Sequence, residues 1–311
     1  MSETTLSEIA RQSMPAKGLD FYQRYIKQLP DFGVYADVPA SVYHRWPAVS
    51  KSLLHVIDTQ TMAHVRQELE HPEDRRSQAL DEGTLYHLYL LQRRHFDSMV
   101  APAPINPKTG VEYGRDSKAY EAAREAAGDK LLLGKSDVAR MQAMSEALAR
   151  KPLAKSLARC KGEYEVSILW KDEATGLPCK ARLDKLVRGQ CVVDLKTVGR
   201  SASMHAFGRD ASAFGYDTQA AHYLEGCRVL GLGCSRFAFI AQEDYPPYES
   251  AVYYVSDEHA EAALPLESAR VRVRECMARL SACLKSDSWP GYGDEALPLR
   301  LPEWRTRNVG E

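Results

Sequence analysis

Asp194 lies in QCVVDLKTV (Gln190–Val198), where Val192, Val193 and Leu195 put apolar side chains on both faces of an extended segment. Successive strand residues point to opposite sides. Apolar residues at both parities therefore mark a strand covered on both faces, in the middle of a layered domain. An acid in such a strand needs a partner, because an unpaired carboxylate stripped of water is prohibitively costly. The segment before it, CKARLDKLV (Cys179–Val187), is also β-prone, and Gly189 marks the turn between the two. A turn centred on Gly189 places Asp184 opposite Asp194, with Cβ atoms ~5 Å apart. A one-residue slip would break that pairing.

Lys196, two residues beyond Asp194, projects from the same face. The strand EYEVSILW (Glu163–Trp170) comes first, and the ATGLP turn brings its Glu165 roughly level with Asp184. Facing carboxylates repel unless a cation compensates. Hard oxygen donors suit Mg²⁺, with Mn²⁺ as a substitute, and Mg²⁺ completes its shell with water and substrate phosphate. Lys196 is suited to orienting water or stabilising charge on a phosphorane-like transition state. The competing interpretation is a surface hairpin with two solvated acids and basic neighbours.

Outside the hairpin, the pattern predicts a helix from Ser50, which caps it, to about Glu70. Further helices are expected over 78–92, 118–127 and 136–157, with a Pro- and Gly-rich loop over 101–116. After the three-stranded meander come a helix over 214–230, the strands SRFAFIAQ and SAVYYVS, and a long helix over 257–285. This order predicts an α/β fold with helices around a central mixed sheet. Residues 1–35 read as a peripheral segment and 36–311 as the domain.

No apolar run approaches the ~20 residues of a membrane span, and MSETTLSEIARQSM lacks the features of a signal peptide. A cytoplasmic location is expected. Seven scattered cysteines without a C-x-x-C pair argue against disulfide, zinc and Fe–S frameworks. A net charge of −1 announces no polyanion partner. Basic residues do cluster locally: Arg93 with Arg94, then Lys180, Arg182, Lys185 and Arg188 around the acids, then Arg270, Arg272 and Arg274.

Glu165, Asp184 and Asp194-Leu195-Lys196 together resemble the E…D…(D/E)-x-K signature of the PD-(D/E)XK nuclease superfamily. D-x-K alone is weak, but EVSILWKDEATGLPCKARLDKLV with VVDLKT, SKSLLH, GTLYHLYLL, YDTQAAHYLEG and SDSWPGYGDEALPLRLPEW resemble the exodeoxyribonuclease VIII (RecE) nuclease domain in that order. Leu183 stands where the superfamily name has Pro. The resemblance implies a restriction-endonuclease-like core. It also implies metal positions at His87, Asp184, Asp194 and Leu195, and catalytic roles for Glu165, Asp184, Asp194 and Lys196. Gln219 and Tyr223 match a Q-x-x-x-Y pattern whose implied role is to hold the substrate phosphate or terminal nucleotide. They share a helix face with Tyr216. Taken alone, His87 among Tyr86, Leu88 and Leu90 would read as a core residue.

The implied activity is Mg²⁺-dependent hydrolysis from the ends of double-stranded DNA, 5′-to-3′, in phage-type recombination. The implied partners are a single-strand annealing protein and further copies of the chain in a tetrameric ring. The alternatives are a sequence-tolerant or helicase-associated endonuclease, although no helicase P-loop is present, and a catalytically idle DNA-binding module.

Overall fold

The computed structural model describes residues 29–71, 78–91, 93–128, 130–296 and 298–299. In chain order the elements are β1 (Gly33–Tyr35), α1 (Ala40–Arg45), α2 (Lys51–Thr59), α3 (Met62–Glu70), α4 (Gln78–Leu91), α5 (Arg93–Met99), β2 (Val100–Pro102), α6 (Lys118–Ala127), β3 (Leu131–Leu133), α7 (Lys135–Ala149), α8 (Pro152–Arg159), β4 (Glu163–Lys171), β5 (Pro178–Val187), β6 (Cys191–Val198), α9 (Met204–Phe214), α10 (Tyr216–Val229), β7 (Arg236–Glu243), β8 (Ser250–Ser256) and α11 (Ala260–Ser286). The main sheet runs β1-β4-β5-β6-β7-β8, and β2 pairs separately with β3. In the main sheet only β6 and β7 run parallel. Parallel neighbours need a long crossover, which α9 and α10 supply.

The sheet is covered on both faces, as the apolar residues flanking Asp194 predict. Residues of α2, α3, α10 and α11 pack over Ile168, Leu183, Val192 and Phe237. On the opposite face, α4, α7 and α8 pack over Val193, Leu195 and Ile240. Consecutive residues of β6 thus enter different cores. Close approach of α10 depends on Gly226, where an added Cβ would lie 2.8 Å from both Ile168 and Trp170.

Several boundaries differ from the sequence expectation for local reasons. The helix expected over 50–70 is two helices, because Gln60 is extended (φ −130°, ψ −179°). The second is anchored where the Ala63 N–H donates to the Pro290 carbonyl at 3.2 Å. The helix expected over 136–157 breaks at Pro152, which opens α8 because proline fits a first helical turn but not an interior. Gly33–Tyr35, at the end of the segment expected to be peripheral, is the edge strand paired with β4. Residues 1–28, most of that segment, lie outside the described residues. Among the described residues, no helix is long and apolar enough to cross a membrane.

Candidate active site

The central sheet forks at the two acids. The β5–β6 ladder consists of Lys185↔Val193, Leu186↔Val192 and Val187↔Cys191, the register that a turn at Gly189 dictates. Asp184 and Asp194 come next in that register, where the ladder has ended. From there β5 stays with β4 and β6 with β7. Past the ladder, the Leu195 N–H donates to the carboxylate of Asp184 (Oδ2, 3.0 Å) rather than to a strand carbonyl.

Glu165 falls between the pairs Tyr164↔Lys185 and Val166↔Leu183, and so comes level with Asp184. Its own pairing is interrupted and its φ is +50°, a left-handed conformation that costs a non-glycine residue energy. Its Oε2 lies 3.5 Å from Arg182 Nε. From α4, His87 brings Nδ1 to 3.3 Å from Asp184 Oδ2. The ligating atoms of His87, Glu165 and Asp184 all lie within 4.8 Å of one another.

Asp194 faces a different set of partners. It is 2% exposed; Oδ1 accepts from Gln219 Nε2, and Oδ2 lies 2.7 Å from Lys196 Nζ. That ammonium donates to Gln219 Oε1 at 3.1 Å and sits 4.7 Å from the centre of the Tyr216 ring. Gln219 therefore bridges the acid and the lysine. One turn on, Tyr223 is buried against Phe237, with ring centres 5.9 Å apart. The Leu195 side chain is buried in the α4–α7–α8 core, so only its main chain faces the fork.

The electrostatics follow from this crowding. Burial first, then Asp194 and Glu165, push the Asp184 carboxyl up to about 7, against the opposing pull of His87 and Lys196. For Lys196, burial disfavours the charge, but Asp194 and Asp184 outweigh it and hold the pKa above the ordinary lysine value. Lys196 is therefore an ammonium, suited to stabilising negative charge and not to acting as a base. Burial, with Tyr43 and both aspartates, raises the Tyr223 hydroxyl well above its ordinary value and keeps it neutral.

The basic cluster around the acids serves the fold. Lys180 Nζ donates to the carbonyls of Tyr43, His44 and Trp46 (2.8–3.0 Å) at the end of α1. Lys185 Nζ donates to those of Leu157, Ala158 and Cys160 (2.7–3.0 Å) at the end of α8. Arg188 pairs with Glu163, and Arg182 donates to the Val38 carbonyl. Arg270, Arg272 and Arg274 are likewise paired, with Asp257, Asp217 and Glu267 respectively. The side chains of Arg93 and Arg94 fall outside those described. The sequence reading missed Lys51, whose ammonium lies 5.8 Å from the centre of the same Tyr216 ring.

A mixed sheet between helical layers, splayed where two acids and a lysine meet, defines the PD-(D/E)XK nuclease-like class. Residues 50–302 match the model of a family described as a PDDEXK-like domain of unknown function (DUF3799), and the chain belongs to that family. A solved structure from Eubacterium rectale, described as a candidate exonuclease, superposes with a TM-score of 0.51 at 17% identity. It covers 85% of this chain and 94% of its own, and it supports the fold. The structure of SSO0001 covers 89% of this chain and 85% of its own at 13% identity, but its TM-score of 0.33 carries no argument. No curated protein matches the chain. The matches support the superfamily and do not single out the exodeoxyribonuclease VIII family.

The donor set fits a hard divalent cation. Carboxylates and one imidazole converge, Asp184 is pushed toward its protonated form by burial and by the neighbouring acids, and buried Asp194 Oδ2 has no directed hydrogen bond. Among the described residues the group that could hold a cation is His87, Glu165 and Asp184; Asp194, engaged by Lys196 and Gln219, stands outside it and is felt at Asp184 through its charge.

Proposed function

We propose that this protein is a Mg²⁺-dependent deoxyribonuclease that hydrolyses phosphodiester bonds from the ends of double-stranded DNA. The observation that carries this reading is the fork, which gathers Glu165, Asp184, Asp194 and Lys196 with His87 in one partly buried site. His87, Asp184, Asp194 and the main chain of Leu195 would hold the cation, with Glu165 beside them. When bound, the cation supplies Lewis acidity and charge neutralisation at the phosphate. Lys196 adds a fixed positive charge where the phosphorus centre gains negative charge. Gln219 holds Asp194 and Lys196 in mutual register, and Tyr223 packs from α10 onto Phe237 of the sheet.

The resemblance in sequence supports 5′-to-3′ digestion yielding 5′-phosphorylated products, in recombination beside a single-strand annealing protein. The test is digestion of linear and covalently closed plasmid with Mg²⁺ or Mn²⁺. Loss of linear duplex with closed circles spared is the expected result, and release of 5′ or 3′ label gives the direction. Cutting of closed circles would make the protein an endonuclease. Binding without cleavage in either metal would overturn the enzymatic reading.

A further inference from the structure

Two cations lie near the half-buried Tyr216 ring, Lys196 at 4.7 Å and Lys51 at 5.8 Å from its centre. The same ring packs on Phe207 and Phe239. A third ring, Phe214, lies 5.8 Å from Tyr216 at 31° and is 51% exposed. Gly215 makes this arrangement possible. Its left-handed conformation (φ 63°, ψ 45°) ends α9 and starts α10, and a Cβ there would press on His55 Nδ1 at 3.3 Å. Two aromatic residues are thereby set side by side at the mouth of the fork.

Lys51 is half-buried, and no hydrogen bond or ion pair holds its ammonium among the described residues. The two acids nearest it are already engaged, Asp194 with Lys196 and Gln219, Asp217 with Arg272. Lys51 also occupies the first position of α2, where the helix dipole disfavours a cation. Burial and Lys196 oppose its charge as well. The fold thus keeps an ammonium with no hydrogen bond or ion pair of its own beside the acid centre, as a site for an incoming anion would require.

We propose that Lys51, Tyr216 and Phe214 form a seat for one unpaired nucleotide at the mouth of the fork, with the base stacked on Phe214 and its phosphate against Lys51. Exposed aromatics beside cations are the general means of holding single-stranded nucleic acid. The seat deepens the nuclease reading and rests on it. It implies that a duplex end is opened before its phosphate reaches Lys196, so that the substrate engaged at the site is a frayed strand.

The test is metal-free binding of a duplex carrying 2-aminopurine at its terminal nucleotide, so its outcome does not depend on catalysis. Wild-type protein is expected to quench the 2-aminopurine. Phe214→Ala is expected to lose the quenching and to bind about tenfold more weakly, and Phe214→Tyr to restore both. Lys51→Gln is expected to lower the slope of log affinity against log salt by about one, a change that loss of packing alone would not cause. Quenching and salt slopes that match wild type in folded Phe214→Ala and Lys51→Gln would overturn the seat. If wild-type protein binds and quenches but cleaves nothing in Mg²⁺ or Mn²⁺, the seat stands and the hydrolytic reading falls.

Discussion

Lys196 is held charged by Asp194 and Asp184, so its contribution belongs to the transition state. Lys196→Ala is expected to lower kcat by ~10²–10³, the usual worth of one positioned electrostatic donor. Calorimetric Mn²⁺ binding should survive the change, and its loss would make Lys196 a structural support. Asp194→Ala is expected to abolish cleavage in a protein whose circular dichroism is unchanged. Asp184 adds a pH dependence. Its folded pKa of about 7 lies above the ordinary 3.8, so between these values the metal-free fold holds a proton that the unfolded chain has released. The stability this group contributes is present at low pH and is lost as pH rises through that window. A cation requires the carboxylate, so metal affinity should rise across the same window, with a proton released on binding. Calorimetry in two buffers of different ionisation enthalpy reads that proton, and Asp184→Asn should remove it.

At the scale of elements, β5 is pinned at both ends by lysines that serve as helix caps. Lys185 is fully buried with three carbonyls as partners. Lys185→Met keeps most of the stem but leaves those carbonyls unsatisfied, and it should cost ~2 kcal/mol in urea unfolding. The sequence could not show this, because a capping lysine and a DNA-binding lysine carry the same charge. Only the position of α8 decides which it is. The hairpin was legible because Gly189 fixes the register and the two-sided apolar pattern marks a central strand. The break at Pro152 was visible in principle. Three-residue strands such as β2 and β3 are too short to display alternation. α9 went unread because Gly208 within MHAFGRDASAF and Gly215 just after it are residues that ordinarily mark turns. Lys51 was hidden for a different reason: its partner ring is 165 positions away, and no local pattern joins them.

For the whole molecule, a net charge of −1 and basic side chains engaged within the fold leave little long-range attraction for a polyanion. The basic clusters around the acids and on α11 are engaged within the fold, so a topological hold on DNA would be the more direct route to processive action. The assembly proposed is a closed ring of four copies, formed through head-to-tail interfaces. Light scattering at micromolar concentration should give four times the chain mass, and digestion should continue after excess trap DNA is added. A monomer that releases its substrate at each cut would rule the ring out and leave the chemistry of the fork intact.

The fork also has a dynamic side. Where strands are zipped together, amides exchange with solvent only when the sheet opens. The Leu195 amide is instead latched by a carboxylate that can let go by taking up a proton or turning toward a cation. Asp184→Ala should therefore speed deuterium uptake at Leu195 far more than at Val193, one ladder step away. The same side chain that would grip the cation is the bolt on the seam between the two halves of the sheet, so filling the site would bear directly on how firmly that seam is held.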